Sequence, residues 1–270
     1  MSNRKIGFIG AGNMGGALAR AVIEKTGGDT VYVCRTTPER SAETACQLGC
    51  RSSTAEEICA FCDVIFIGVK PQALGQLLRI LSPVISKRTD ECVFVSMAAG
   101  VSLGSLSGLI GEKKKIIRIM PNLPVSTGNG AVLYCSNENV SEDDERAFFG
   151  ILEYAGEVIP LPEKLFDAGT AISGCGPAFV CMFIDALSEG GVRCGLTKET
   201  ALKLSCLTLS GSAESVIKTG KHPDALRDEV CSPAGSTVAG VAVLEERAFR
   251  SAVSDSVAAA FVRTKELGKQ

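Results

Sequence analysis

The chain has 270 residues, which at ~100–200 residues per domain means one large domain or two modest ones. Hydrophobic residues at 46% and charged residues at 21% argue against wholesale disorder, and 28 basic against 30 acidic side chains leave a net charge of −2, with no basic surplus for gripping nucleic acid. The single histidine, His222, excludes most histidine-based metal sites and any Ser-His-Asp scheme that does not use it.

In chain order, Lys5–Ile9 is a short apolar run that predicts a strand. A chain that starts this way is not expected to be exported, and no apolar run is expected to reach the ~18–20 residues of a bilayer span. Glycines follow, then a helical pattern with Leu18, Val22 and Ile23; Val31–Val33 is the next strand. Pro38 opens a helix in its first turn, where a missing N–H costs little. Asp63 precedes Val64–Ile67, a continuous apolar run of the kind buried on both faces of a parallel sheet. Pro71 stops that strand and begins another helix, and Val93–Val95 and Ile116–Ile117 give two further strands. Strands alternating with helices imply right-handed crossovers and a doubly wound α/β sheet.

After Gly156–Pro160 no convincing strand remains. Pro177–Leu187, Thr197–Ile217, Ser236–Phe249 and Ser251–Leu267 fit helices, the third with Val238, Val241 and Leu244 at helical spacing, the fourth with Val253, Val257 and Phe261. The expected organisation is an α/β domain over 1–160 and an all-helical domain over 161–270. So few helices make a thin core, so the helical half is expected to pair with itself across a two-fold axis.

Twelve cysteines in a chain with no export signal suit a reducing cytoplasm, as small buried apolar residues. Cys46, Cys50, Cys59 and Cys62 imitate a zinc site; Cys46 and Cys59 fall in helix-like stretches flanking a short strand, so core packing is the preferred reading and no metal is expected.

Gly10-Ala-Gly-Asn-Met-Gly15 is G-x-G-x-x-G between the first strand and first helix, the context that makes this pattern specific. Gly10 permits a tight turn, Gly12 lets backbone approach a pyrophosphate, and Gly15 lets helix and strand pack closely, with the helix N-terminus presented to the phosphates. The second strand ends Cys34-Arg35-Thr36, with Arg40 one turn on; where NAD-binding proteins place a carboxylate, this chain has a cation suited to a 2′-phosphate. NADP is therefore the expected cofactor, with NAD secondary. Val69-Lys70-Pro71 and Met120-Pro121-Asn122 end two more strands at the same edge; Lys70 and Asn122 are ligand candidates, against a solvated strand end and ordinary turn chemistry. In the helical half, Ser232-Pro-Ala-Gly235 is a turn from which Ser236 and Thr237 expose N–H groups and hydroxyls at a helix start. That suits a carboxylate, although a simple N-cap would explain one hydroxyl.

With these residues in view the sequence resembles the pyrroline-5-carboxylate reductases throughout its length. The carriers are Ile6–Gly15, Val69–Gln72, Arg118–Asn122, Ser173–Ala178, and Leu226–Gly240 with Leu244-Glu245; the Leu226–Gly240 segment is the most specific. The resemblance implies a Rossmann domain for NADP joined to a helical substrate-binding domain that interlocks two subunits as a homodimer, sometimes assembled further into a ring such as a decamer. It implies that Gly235, Ser236 and Thr237 hold the substrate, with Gly10, Gly12, Asn13, Met14, Gly15, Cys34, Arg35, Thr36, Val69, Lys70, Pro71, Ala99 and Asn122 along the cofactor. Ala234 stands where a glycine is usual, and Ala55 where many members carry Asn.

The activity implied is reduction of a five-membered cyclic imine bearing a carboxylate, with neither nucleic acid nor membrane as partner. An iminium is already electrophilic, so demand for a strong protein acid is low; Thr237 is the candidate catalytic residue, its hydroxyl touching the ring nitrogen. His222 lies in a turn well before the substrate loop and reads as a surface or capping residue. Two rivals stand beside this reading. A β-hydroxyacid dehydrogenase shares the glycine-rich start, but its lysine-and-asparagine signature has no match between Pro177 and Gly191. The other is a nucleotide-sensing protein without turnover, against which the intact Ser232–Thr237 segment argues.

Overall fold

Ile6–Ile9 forms β1, and its side chains alternate between two buried faces, Ile6 and Phe8 on one and Ile9 on the other. The computed structural model describes residues 4–267. The alternation repeats in β4 (Val64–Ile67), where Val64 and Phe66 join the first core and Ile65 and Ile67 the second. Burial on both faces is why these segments read as unbroken apolar sequence. Phe8 and Phe66 stack with ring centroids 4.5 Å apart, and burial of each ring contributes about 1.5–3 kcal/mol.

Eight strands lie in the order β3-β2-β1-β4-β5-β6-β7-β8. β1, β2 (Val31–Cys34), β3 (Arg51–Ser52), β4, β5 (Val93–Ser96) and β6 (Lys115–Met120) are parallel. They are joined through α1 (Asn13–Thr26), α2 (Pro38–Leu48), α3 (Ala55–Phe61), α4 (Pro71–Lys87) and α5 (Leu103–Ile110). Pro38 and Pro71 each occupy the first helical turn, and Thr37 caps α2 by accepting from the Arg40 N–H. Strand order reverses between β1 and β4, the switch point beyond whose carboxyl ends open α/β sheets bind ligands.

The last two strands depart from the all-parallel expectation. β7 (Gly130–Ser136) runs antiparallel to β6, with Met120 opposite Leu133, and β8 (Gly156–Pro160) runs parallel to β7. The sequence reading places no strand at β7, because its alignment is fixed by tertiary contacts. A 3-10 turn, Leu123–Thr127, ends at Gly128 with φ 75°, and Asn122 Oδ1 accepts from the Ala131 N–H at 2.9 Å. α6 (Glu142–Ile151) follows, held by a Ser141–Asp144 capping box, and covers the first core with Phe148 and Ile151.

The chain forms two compact units, and the break falls at Gly174–Cys175 instead of near residue 160; the first unit also takes in the chain from Ala260 onward. The cause is α7 (Phe166–Ser173), absent from the sequence reading. Phe166 is buried, and a Cβ on Gly169 would meet Leu133 and Leu161 at 2.7 and 2.8 Å, so this helix is packed on β7.

The second unit contains α8 (Gly176–Arg193), α9 (Lys198–Thr219), α10 (Pro223–Glu229), α11 (Ser236–Glu246) and most of α12 (Phe249–Leu267). The expected helix over Ser236–Phe249 breaks earlier, at Arg247–Ala248, where Ala248 adopts φ 55°. α8 and α9 pack closely, a Cβ on Gly191 lying 3.1 Å from that of Ala201. Within Cys175–Ala259 only Ser188, Ala201 and Ser205 are buried, so the unit has almost no core of its own. Its apolar side chains face outward, Met182 being 73% and Ile217 80% exposed.

One expectation needs correction. Within Glu163–Arg193 an 18-residue window reaches a mean hydropathy of 1.5, so by length and composition alone this stretch is apolar enough to cross a membrane. Phe179, Val180, Met182, Phe183 and Ile184 crowd α8 with apolar groups on several faces. Contiguous exposed apolar surface of this kind equally marks contact between protein chains.

Candidate functional site

The β1–α1 turn is built by close backbone approach. Gly10 has φ 97°, and a Cβ there would stand 2.7 Å from the Gly68 carbonyl carbon. A Cβ on Gly15 would fall 2.4 Å from the Gly10 carbonyl oxygen. Gly12 is different: it is the N-cap of α1, extended at φ −78°, and its Cβ position meets no atom within 4 Å. No side chain caps α1, so the N–H groups of Asn13 and Met14 face outward with the positive end of the helix dipole. This open, donor-lined flank fits an anionic pyrophosphate.

Beside it lies a cavity of about 550 Å³, lined by Gly10, Cys34, Arg35, Thr36 and Val69 among the expected residues. That volume is in the range of small-molecule sites, ~300–1,000 Å³. Arg35 is exposed at the end of β2; its N–H donates to Ser41 Oγ at 2.8 Å and its Nη1 to Thr44 Oγ1 at 3.3 Å. The guanidinium is thereby held at the cavity wall with donors to spare. Burial pushes the Cys34 thiol above its usual range, with the Glu56 carboxylate adding to the effect.

Of the far wall, Ser52–Glu57 with Ser41 and Leu77, the sequence reading singles out only Ala55. The signal for the rest was a capping box: Thr54 caps α3, and Glu57 accepts from Ser53 Oγ at 2.7 Å and the Thr54 N–H at 3.1 Å. Ala55 begins α3 and lines the cavity with a methyl group.

Lys70, Pro71, Ala99 and Asn122 are not among the cavity's lining residues; they follow β4, β5 and β6 along the same sheet edge. Lys70 is the exposed N-cap of α4 and Ala99 is exposed. Asn122 is buried, and its carboxamide oxygen is engaged by Ala131, leaving only its NH₂ for a ligand.

The second candidate site is the start of α11. Ser232–Gly235 is a turn closed by Gly235 N–H donating to Ser232 O at 3.0 Å. A Cβ on Gly235 would lie 2.3 Å from Ser232 Oγ. Ser236 and Thr237 are exposed, and no side chain caps the helix, so N–H donors, dipole and two hydroxyls converge on one spot. The flanking helices are tied together: Arg250 donates to Asp224 on α10 at 3.0 Å and to Glu245 on α11 at 2.7 Å. The Arg250 contact holds the Asp224 carboxyl below its usual range.

Ala234 sits in this turn at φ 56°, a left-handed conformation that glycine adopts freely. Ala234→Gly is expected to raise stability by about 0.5–1 kcal/mol, read as a higher denaturation midpoint. An unchanged or lower midpoint would show that the turn bears no strain.

His222 is the N-cap of α10, its Nδ1 accepting from the Asp224 N–H at 3.2 Å, with the side chain 77% exposed. His222→Asn preserves a capping acceptor and is expected to retain activity; a collapse of rate in the folded variant would give the imidazole a chemical role. Cys59 and Cys62 are buried, and burial pushes both thiols up to about 12, whereas Cys46 is exposed. The four cysteines weighed as a zinc site thus occupy unlike surroundings.

Comparison with known proteins matches the N-terminal and C-terminal parts of the chain to different family models. A family model described as pyrroline-5-carboxylate reductase dimerisation matches residues 163–267. Another, described as NADP oxidoreductase, coenzyme F420-dependent, matches residues 5–100. The chain is 35% identical over 271 residues to Mus musculus pyrroline-5-carboxylate reductase 3, covering 99% of this chain and 97% of that one. It is 35% identical over 269 residues to the Escherichia coli pyrroline-5-carboxylate reductase, covering 98% and 99%. A solved structure of the Plasmodium falciparum pyrroline carboxylate reductase with NADP bound is similar at a TM-score of 0.86 and 34% identity, covering 99% of each chain.

Proposed function

The chain belongs to the pyrroline-5-carboxylate reductase family, and from that premise we propose which of its own residues carry the reaction. The activity is NADPH-dependent reduction of the cyclic imine 1-pyrroline-5-carboxylate to L-proline, the last step of proline biosynthesis. The observation that carries the site assignment is the uncapped start of α11, where Ser236 and Thr237 stand exposed above a tight turn.

The N–H groups of Ser236 and Thr237, with the Gly235 turn, anchor the substrate carboxylate through charge-assisted bonds. The Thr237 hydroxyl meets the ring nitrogen, where it orients the imine and accompanies the proton that the product amine retains. Gly12, Asn13 and Met14 hold the cofactor's pyrophosphate, and Arg35 its 2′-phosphate. NADPH bound there supplies the hydride. Most of the acceleration attributed to the protein comes from positioning, which can lower a barrier by ~7–11 kcal/mol.

Self-association runs through the helical unit, which the dimerisation family model covers. A homodimer is the proposed minimum, supported by the three small residues that are all the unit buries by itself; a decamer is its extension. Light scattering that reports a monomer at micromolar concentration would reject both. A cytoplasmic location also belongs to this proposal, supported by all twelve cysteines standing as free thiols.

The activity test follows NADPH absorbance with pyrroline-5-carboxylate and then with a six-membered cyclic imine; turnover of the six-membered ring alone would reassign the substrate. With no carboxylate at the end of β2 and Arg35 in its place, kcat/KM is expected to favour NADPH over NADH by about tenfold or more. A tenfold preference for NADH would overturn the role of Arg35.

A further inference from the structure

Arg118, in β6, is buried. Its Nη1 donates to Glu163 Oε1 at 2.8 Å, its guanidinium lies 4.6 Å over the Phe166 ring, and its Nε is buried with no partner. The same Glu163 oxygen accepts from the Leu103 N–H at 2.7 Å, the first residue of α5. A carboxylate 60 residues away in sequence thus fastens the start of α5, while Ser102, its N-cap, accepts from the Ser105 N–H in the same first turn at 3.1 Å.

What this clamp fixes is the loop between β5 and α5. Met97 is tied to β4 through its N–H to Ile67 O at 3.0 Å, and the other end is held at Leu103 by Glu163. Between them lie exposed Ala99 and half-buried Gly100, the latter at φ 74°. The cavity beside β2 takes the adenosine half of a dinucleotide, so the other half runs across the switch point toward the ends of β4 and β5, where this loop stands. Burying the Arg118 guanidinium costs solvation that one bond to the partly exposed Glu163 repays only in part, and its unpaired buried Nε–H adds a further cost. What the pair does supply is a fixed position for the Leu103 N–H.

The geometry points to Arg118 and Glu163 as positioning residues that set the β5–α5 loop against the nicotinamide half of the cofactor and so govern hydride transfer. The inference rests on the NADPH reading above. Its test uses the full-length enzyme and the variants Arg118→Met, Glu163→Gln and the double variant. Three quantities are read: affinity for NADPH, affinity for 2′,5′-ADP (the adenosine half alone), and the single-turnover rate of hydride transfer, with a thermal melt alongside.

The single variants are expected to bind 2′,5′-ADP within about twofold of the parent while hydride transfer falls about tenfold, the scale of effect that a small misplacement of reacting groups produces. The double variant is expected to melt no lower than either single one, yet to stay slow. Equal weakening toward both ligands, or an unchanged transfer rate in a folded variant, would overturn the inference. Should Arg118→Met fail to fold, Glu163→Gln decides alone, its side chain being 32% exposed. A parent enzyme that does not bind 2′,5′-ADP would overturn the NADPH reading instead, so the two failures are distinguishable.

Discussion

Valine in place of Gly12 is expected to weaken NADPH binding at least about a hundredfold and to leave the fold standing. The residue is extended, with φ −78° and ψ −154°, and its Cβ position meets nothing within 4 Å. The protein therefore has no internal reason to keep glycine there, and a β-branched residue suits extended backbone. The space is reserved for something that approaches from outside. An isopropyl group on the axis of α1 fills the volume where a pyrophosphate reaches the N–H groups of Asn13 and Met14. The expected loss is at least about a hundredfold in affinity, some 2.7 kcal/mol, with the melting temperature unchanged. Gly15→Ala is the contrasting control. Its methyl would sit 2.4 Å from the Gly10 carbonyl, so it should destabilise the Rossmann unit and weaken the cofactor only as a consequence. NADPH titration beside a thermal melt separates the two glycines, and parent-like affinity in Gly12→Val would remove the phosphate site from this turn.

How much of this was legible before the structure differs along the chain, for physical reasons. The G-x-G-x-x-G turn and the prolines that open α2 and α4 were readable because each acts through its own backbone, with no help from elsewhere. So were β1 and β4, whose burial on both faces leaves continuous apolar sequence. β7 and α7 were not. β7 is placed by Asn122 bonding to Ala131 and by pairing with β6, and α7 by Phe166 and Gly169 packing on its neighbours. Those determinants lie far apart in sequence and carry no periodicity, which is why the first compact unit runs past residue 160 to Gly174.

The candidate sites divide in the same way. Arg35 and the glycines were legible from position alone. Apart from Ala55, the Ser52–Glu57 wall was not, since it reaches the cavity only through the pairing of β3 with β2, with Ser53 N–H donating to Val33 O at 3.1 Å. Ala234 is the reverse case. The family resemblance implies glycine at this position, and the structure supplies the cost of alanine, a left-handed φ of 56° borne by a residue with a Cβ.

Thr237→Val is expected to lower kcat/KM for pyrroline-5-carboxylate by ~10–100-fold, the scale of ~1.5–3 kcal/mol for a hydrogen bond to a charged group, with NADPH affinity intact. Valine keeps the shape of threonine and removes only the hydroxyl, so unchanged turnover would take Thr237 out of the reaction. The carboxylate anchor needs a separate probe, because it is backbone and no ordinary side-chain change reaches it. Ser236→Pro does. Ser236 is the first residue of α11, a position where proline is tolerated, and Gly235 before it is extended at φ −78° and ψ 167°, as a residue preceding proline must be. The substitution deletes one N–H and one hydroxyl and leaves the helix intact, whereas Ser236→Ala deletes the hydroxyl alone. If the N–H holds the carboxylate, the proline variant raises KM about tenfold or more beyond the alanine variant. Equal KM values in two folded proteins would mean that the acid is held elsewhere, and the start of α11 would keep only its hydroxyl chemistry.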